Sequence, residues 1–276
     1  MAYQFLLFPN FRSKALTLSY DDGVPSDRKL IEIMSKYGLK GTFNLNSGLF
    51  EAKWRMSKEE VLELYPSTGN EVAIHGVKHY TLTEIDDAAI MKEILCDREA
   101  LEETFGHTVT GMAYANGKYD DRVVDILKHC GVEYARTTVS TENFEIPTDW
   151  LRMPATCHHK NPRLMELAHE FIEKEDRDYF WSRKPRLFYL WGHSYEFKNE
   201  DNWYIIEEFA EYMGNRDDVW YATNKEIYDY VKAYESLVYP VSRKYVYNPT
   251  QVDVYLNWFD KRQVLVPAGK TVSLVD

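Results

Sequence analysis

Short apolar runs alternate with longer amphipathic stretches along most of the chain. Residues 15–20 alternate between apolar and polar positions as a strand does, whereas residues 27–37 place their apolar positions on one face of a helix. Ser57 is followed three residues later by Glu60, which is the pattern of a capping box at a helix start. Regular alternation of strands and helices favours a parallel sheet, either open or closed into a barrel.

The same pattern can be followed to about residue 235. It predicts strands at 15–20, 41–46, 71–75, 109–114, 132–136, 187–191 and 219–222. It predicts helices at 27–37, from 57 onward, and at 86–105, 120–129, 161–174, 203–213 and 224–234.

The pattern changes in the tail of the chain. Residues 236–276 are rich in β-branched and aromatic residues, with turn signals at Pro249 and Gly269. Such a segment predicts short strands and no helix. We therefore predict an α/β domain over residues 1–235 and a β-rich appendage over residues 236–276.

Composition sets the limits of function. With 276 residues, 45% of them hydrophobic, the chain can build a full core. A net charge of −11 argues against a general affinity for nucleic acid or anionic membranes. No signal peptide or spanning segment is recognised, and three scattered cysteines predict neither a disulfide framework nor a zinc motif. We expect a cytoplasmic protein without nucleic-acid or membrane partners. The sequence is compatible with a homo-oligomer.

Two adjacent carboxylates, Asp21 and Asp22, end the first predicted strand, and Gly23 then turns the chain. Neighbouring side chains on a regular strand point to opposite faces, but at a strand end both can enter one cleft. Two negative charges at so short a distance repel each other strongly unless a cation or a proton lies between them. The pair therefore predicts a metal site, with one carboxylate as ligand and the other as base.

A second signal follows the strand at 71–75. His75 and His79 are four residues apart, so they lie on one face of a helical turn and can share a metal. With Asp22 they form a set of two histidines and one carboxylate, which leaves open positions and suits zinc or a related divalent ion. The pair alone is a weak motif that ordinary histidines also produce, and the upstream carboxylates favour the metal site.

Four segments in order resemble the motifs of the polysaccharide deacetylase family, the NodB-homology domain. They read SYDDG at 19–23, HGVKH at 75–79, AYANG at 113–117 and LWGH at 190–193, and the third is similar to the A-Y-P-Y-G form of its motif. The resemblance covers residues 15–197 and implies a distorted (β/α) barrel. It also implies metal-dependent hydrolysis of an N-acetyl amide or O-acetyl ester on a sugar or oligosaccharide. The alternative is hydrolysis of another non-peptide C–N bond, in a cyclic amide or ureide of a small intracellular substrate.

The resemblance also implies roles for single residues. Asp22, His75 and His79 would hold one divalent ion, zinc in the first place, with cobalt, nickel, manganese or iron as alternatives. Asp21 would be the general base that takes a proton from water, and His193 the general acid that protonates the leaving amine or alcohol. The substrate would be a carbohydrate or a small acylated amine.

Further residues are implied around the substrate. Tyr114, Trp150 and Trp191 are expected to bind it, with a backbone N–H near Tyr114 facing the developing oxyanion. Asp149 and Trp150 resemble a fourth motif, whose aspartate orients the acid histidine. Glu196 is the alternative orienting group.

One family residue is missing from its usual place, because Met112 and Ala113 lie where the third motif normally has an arginine. Arg152 is the predicted replacement and Arg136 the alternative. A cation beside Asp21 would lower the pKa of that carboxyl.

Two adjacent histidines, His158 and His159, lie outside these motifs. Adjacent residues rarely converge on one ion, so a solvated loop is the favoured interpretation. A non-enzymatic carbohydrate-binding or scaffolding protein on a decayed barrel is a third hypothesis. The complete set of metal and proton-transfer residues argues against it.

Overall fold

The computed structural model describes residues 3–174, 184–259 and 262–275. Within these ranges the α-helices are α1 Asp27–Lys36, α2 Lys58–Leu64, α3 Asp87–Phe105, α4 Asp121–His129, α5 Leu164–Glu173, α6 Ser194–Asn199, α7 Tyr204–Met213 and α8 Asn224–Glu235. The strands are β1 Leu6–Leu7, β2 Lys14–Asp21, β3 Gly41–Leu45, β4 Glu71–Ile74, β5 Gly111–Ala113, β6 Tyr134–Ser140, β7 Met153–Ala155, β8 Cys157–His158, β9 Arg186–Gly192, β10 Val219–Tyr221, β11 Tyr245–Tyr247, β12 Val254–Trp258, β13 Arg262–Val266 and β14 Thr271–Ser273.

In the described residues the main sheet has nine strands, in the order β7-β6-β5-β4-β3-β2-β9-β8, with β10 paired to the start of β2. Its pairs are parallel. Only Thr156 separates β7 from β8, yet β7 pairs with β6 and β8 pairs with β9 at the other end of the order. The sheet therefore closes on itself, with an irregular register between β6 and β7, and the expected distorted (β/α) barrel is confirmed.

Amphipathic helices cover the outside of this barrel. In α4, for example, the Asp120 side chain accepts the Val123 N–H at the helix start, and Val123, Val124 and Leu127 are buried. The capping box predicted at Ser57 is present at the start of α2. Among the helices of the described ranges, none is long and apolar enough to cross a membrane.

The predicted elements up to residue 235 match the structure to within a few residues at their ends. The sequence pattern missed β1, β7, β8 and α6, which have between two and six residues. Elements this short contain too few positions to show a period. The two strands that close the barrel are among them.

The tail forms two small antiparallel sheets, β1-β12-β13 and β11-β14. Not every β-branched and aromatic stretch of the tail forms a strand, since Val238 makes only a single bridge, to Tyr247. Strand β1 comes from the start of the chain and pairs with the tail at Leu6 and Leu256. The tail therefore packs on the first residues of the chain, and its status as a separate domain stays a prediction.

Candidate active site

The polar residues singled out by the sequence meet at the carboxyl ends of the barrel strands. Asp21 is the last residue of β2, His75 follows β4, and His193 follows β9. Arg136 lies on β6, in register with Ala113 of β5. Because parallel strands end at the same edge of a sheet, this edge is where active sites of such folds form.

Three of these residues could hold a metal ion. The ligand atoms of Asp22, His75 and His79 all lie within 4.8 Å of one another. Nε2 of His79 is 3.8 Å from Oδ1 of Asp22, and the two imidazole rings are 4.7 Å apart. Asp22 and His79 have φ angles of 86° and 62°, a region that residues other than glycine rarely adopt. Such strain concentrates at functional sites.

The tautomer and the burial of His75 suit a metal ligand. Its Nδ1 lies 2.9 Å from the carbonyl oxygen of Ala113. A carbonyl only accepts, so Nδ1 carries the proton and Nε2 keeps its lone pair. That Nε2 is buried, without a hydrogen-bond partner among the residues that the structure describes. Burial, the largest influence, lowers the pKa of His75 and keeps the ring neutral. The residues present therefore fit a divalent ion.

Helix α3 fixes the turn that carries the two histidines. Oδ2 of Asp97 accepts the His75 N–H at 3.0 Å, and its Oδ1 accepts the N–H and the hydroxyl of Ser47. One turn earlier, Glu93 accepts the Lys78 N–H at 2.6 Å. Burial raises the pKa of Asp97 to about 7, although these hydrogen bonds oppose the rise. Glu93 and Asp97 are two carboxylates four residues apart on the buried face of a helix, which is the signal in the sequence that marks this support.

Asp21 is buried beside a cation. Its Oδ1 accepts from Asn44 at 2.8 Å, and its Oδ2 contacts the Arg136 guanidinium. Burial alone would raise the pKa of Asp21, but the guanidinium of Arg136 lowers it to about 2. The guanidinium also stacks on Trp191, 4.4 Å from the ring centre. Asp21 is therefore an ionised carboxylate fixed in one orientation.

The choice of Arg152 as the partner of Asp21 is wrong. Arg152 pairs with Asp149 at 2.8 Å and with Asp121 at 2.5 Å, and its side chain is partly exposed. Arg136 reaches Asp21 instead, because its strand directs the side chain into the closed barrel, where it is 1% exposed.

His193 lies between two carboxylates. Its Nε2 is 3.9 Å from Oδ2 of Asp21, and its Nδ1 is 3.4 Å from Oε2 of Glu196. Asp149 does not take the orienting position, since it accepts the Leu151 N–H and pairs with Arg152. Burial would lower the pKa of His193, but Glu196 and Asp21 raise it. The raised pKa favours the protonated form that an acid needs.

The expected substrate-binding residues lie deeper than predicted. Tyr114 is buried, and its hydroxyl donates to the Leu151 carbonyl at 2.7 Å. The N–H of Tyr114 itself donates to the Arg136 carbonyl at 3.0 Å, and an oxyanion contact from another backbone N–H near Tyr114 stays a prediction. Trp150 is also buried. Trp191, under Arg136, touches the site directly, and a substrate role for all three stays a prediction.

Arg55 was missed by the sequence analysis. It donates to the backbone carbonyl of Asp22 and lies 3.1 Å from its Oδ1. Nothing in the local sequence pattern marked it, because it lies in a turn ahead of α2. Its neighbour in the sequence, Trp54, is 71% exposed.

The interpretation of His158 and His159 as a solvated loop is wrong for His159, which is 1% exposed. Its ring stacks on Phe197, with ring centres 4.1 Å apart. The ring is therefore buried between strand β2 and helix α6, where it also contacts Tyr20.

The model of the polysaccharide deacetylase family matches residues 9–135. The matched region holds 127 of the 276 residues, so the similarity to this family covers just under half of the chain. Chitin deacetylase 1 of Cryptococcus neoformans is 28% identical over 139 residues, which are 48% of this chain and 28% of that protein. The chain therefore matches little more than a quarter of that relative's length.

Solved structures show that the deacetylase fold extends over most of the chain. A Mycobacterium smegmatis protein assigned to the polysaccharide deacetylases has a TM-score of 0.60 at 18% identity, over 87% of this chain and 98% of that chain. A family 4 carbohydrate esterase of Streptomyces lividans, in complex with acetate, has a TM-score of 0.50 at 14% identity, over 73% and 88%.

Proposed function

We propose that this chain is a member of the polysaccharide deacetylase family and hydrolyses the N-acetyl or O-acetyl group of a sugar or oligosaccharide, with a divalent metal ion as cofactor. The observation that supports this best is the meeting of Asp21 and His193 within 3.9 Å, next to the ligand atoms of Asp22, His75 and His79. Beside a set of two histidines and one carboxylate, the carboxylate of Asp21 can activate a water molecule. The imidazole of His193, whose pKa is raised, can protonate a leaving group. Nothing in the comparisons supports the alternative substrates, a cyclic amide or ureide.

Asp22, His75 and His79 would hold the ion, zinc in the first place. When bound there, it would polarise the acyl oxygen and lower the pKa of a water molecule. The donor set fits this class, because His75 offers a free and buried Nε2.

The proton transfers belong to the chain itself. Asp21 accepts a proton from the attacking water, whose oxygen forms a bond to the acyl carbon. Arg136 holds Asp21 ionised and oriented during this step. The C–N or C–O bond then breaks as His193 gives its Nε2 proton to the leaving nitrogen or oxygen, and acetate and the free amine or alcohol result. Glu196, near Nδ1, stabilises the imidazolium before that transfer.

Acetate release tests this proposal. Purified protein, freed of metal and then supplied with zinc or cobalt, is incubated with N-acetylglucosamine oligomers and with acetylated xylan oligomers. We expect acetate release that requires the metal and that His79→Gln abolishes, since this change removes one ligand. His169→Gln, at an exposed site paired with Glu173, is the matched control and should behave as wild type. Metal-loaded, folded protein without acetate release from either substrate would overturn the proposal.

A further inference from the structure

A second set of donors lies beside the first. Oε2 of Glu196 is 3.2 Å from Nε2 of His158 and 3.1 Å from Nε2 of His159. The three ligand atoms lie within 4.8 Å of one another. Nδ1 of His193 approaches the same carboxylate oxygen at 3.4 Å. The proposed mechanism does not use His158 or His159.

These contacts have hydrogen-bond length without hydrogen-bond direction. Both ring nitrogens of His159 and Oε2 of Glu196 are buried without a hydrogen-bond partner among the described residues. Leaving a buried polar atom unpaired costs about 1–3 kcal/mol, so such a cluster calls for a bound water or ion. Ligand atoms around a shared zinc are about 3.3 Å apart and point at the ion, not at each other. In the cluster, the two distances from Oε2 of Glu196, 3.2 Å and 3.1 Å, are close to that value.

Packing on three sides fixes the position of the His159 ring. Its ring lies between Tyr20 and Phe197, with ring centres 5.8 Å and 4.1 Å away. On the third side it packs against Gly192, where a Cβ would come within 2.0 Å of Nδ1. The ring is therefore held by packing, and its nitrogens are not needed for that purpose.

We propose that His158, His159 and Glu196 bind a second divalent cation, of the imidazole-preferring class that includes zinc and cobalt, next to His193 and separate from the first set of ligands. Lys160 lies 3.0 Å from the other carboxylate oxygen of Glu196, so the ion would bind at Oε2, the oxygen that Nδ1 of His193 also approaches. This proposal does not rest on the deacetylase activity.

The second site should be the weaker one. Nδ1 of His158 accepts the backbone N–H of Lys160 at 3.1 Å, so the neutral ring carries its proton on Nε2. Binding through Nε2 moves that proton to Nδ1 and breaks the hydrogen bond. His75 has the opposite arrangement, because its Nδ1 already donates to a carbonyl. We therefore expect two classes of site with different affinities.

Cobalt titration of the metal-free protein tests the proposal, followed by visible absorption and by calorimetry. Wild type should bind two equivalents. Glu196→Gln and His158→Gln should each bind one, while His79→Gln should lose the tighter equivalent and keep the weaker. His169→Gln should keep both. Far-ultraviolet circular dichroism confirms that each variant is folded, and either Glu196→Gln or His158→Gln suffices if the other does not fold.

The results separate the two metal sites. One equivalent in wild type, lost in His79→Gln and kept in Glu196→Gln, would overturn the second site and leave the first intact. One equivalent lost in Glu196→Gln and kept in His79→Gln would support the second site and overturn the first. Two equivalents that persist in both Glu196→Gln and His158→Gln would place the second ion elsewhere and overturn the proposal.

Discussion

The molecule carries two clusters of two histidines and one carboxylate at the same end of its barrel. The Asp22 cluster consists of Asp22, His75 and His79, and the Glu196 cluster consists of His158, His159 and Glu196. The ligand types are the same. The clusters differ in the hydrogen bond that Nδ1 of one histidine makes. Nδ1 of His75 donates to a carbonyl, whereas Nδ1 of His158 accepts a backbone N–H.

This difference shows that residue types alone do not decide which cluster binds metal well. The hydrogen-bond partner of the other ring nitrogen sets the tautomer of each histidine and therefore whether its Nε2 has a lone pair for the metal. The Asp22 cluster also lies beside the buried pair of Asp21 and Arg136, which adds a base. Four predictions, from the largest expected effect to the smallest, test this comparison.

Asp21→Asn should have the largest effect. The amide cannot accept a proton from water, so acetate release should fall by about 10²–10⁴-fold. Cobalt should still bind to both clusters, because Asp21 is not among the proposed ligands. Activity and metal stoichiometry are measured on the same preparation, and retention of full activity would remove Asp21 from the role of base.

Arg136→Met should destabilise the protein strongly. It leaves the Asp21 carboxylate buried without its cation, which costs roughly 3–5 kcal/mol in the free energy of unfolding. Arg152→Met is the matched control, because its ion pairs lie at the partly exposed rim, and it should cost less than about 1 kcal/mol. Denaturant unfolding at pH 7 measures both, and equal losses would contradict the assignment of Arg136.

Asp27→Asn should change the pH dependence of stability. Asp27 contacts the chain near a member of each cluster, because it accepts the N–H of Val24, two residues after Asp22, and the hydroxyl of Ser194, two residues before Glu196. Burial raises its pKa to about 7, although hydrogen bonds from Ser194 and Tyr65 oppose this. A raised pKa favours the protonated form, so its contribution is complete below the ordinary pKa of 3.8 and is lost as pH rises through 7.

The asparagine amide can keep these hydrogen bonds if the Ser194 hydroxyl turns, and it does not titrate. Between pH 5 and 8, wild type should therefore lose roughly 2–3 kcal/mol of stability relative to Asp27→Asn. Parallel slopes in denaturant unfolding across that range would contradict this expectation.

Asp97→Asn should have the smallest effect, and only on the Asp22 cluster. Asp97 accepts from the His75 N–H and from Ser47 with different oxygens, so an amide cannot satisfy both. In this variant the affinity of the Asp22 cluster for cobalt should fall by about 10–100-fold, which is the usual effect of replacing a residue that hydrogen-bonds around a metal site. The Glu196 cluster in the same titration serves as the internal control, and a matching loss there would indicate general destabilisation.

The sequence predicted most of the elements and part of the site. Asp21, Asp22, His75 and His193 follow strands whose patterns are visible, so their meeting at one edge could be foreseen. The partner of Asp21 could not be foreseen, because Arg136 reaches it only across the closed barrel.

Sequence alone determined the strand–helix alternation, the motif residues and the chemistry that they suggest, since periodicity and spacing are local properties of the chain. Tertiary structure decided which arginine meets Asp21, which carboxylate faces His193, and that His159 turns inward. The contact of Arg136 with Asp21 and the burial of His159 depend on the closed barrel, which the two short strands β7 and β8 complete. Such strands are too short to leave a pattern, and the residues they bring together are distant along the chain.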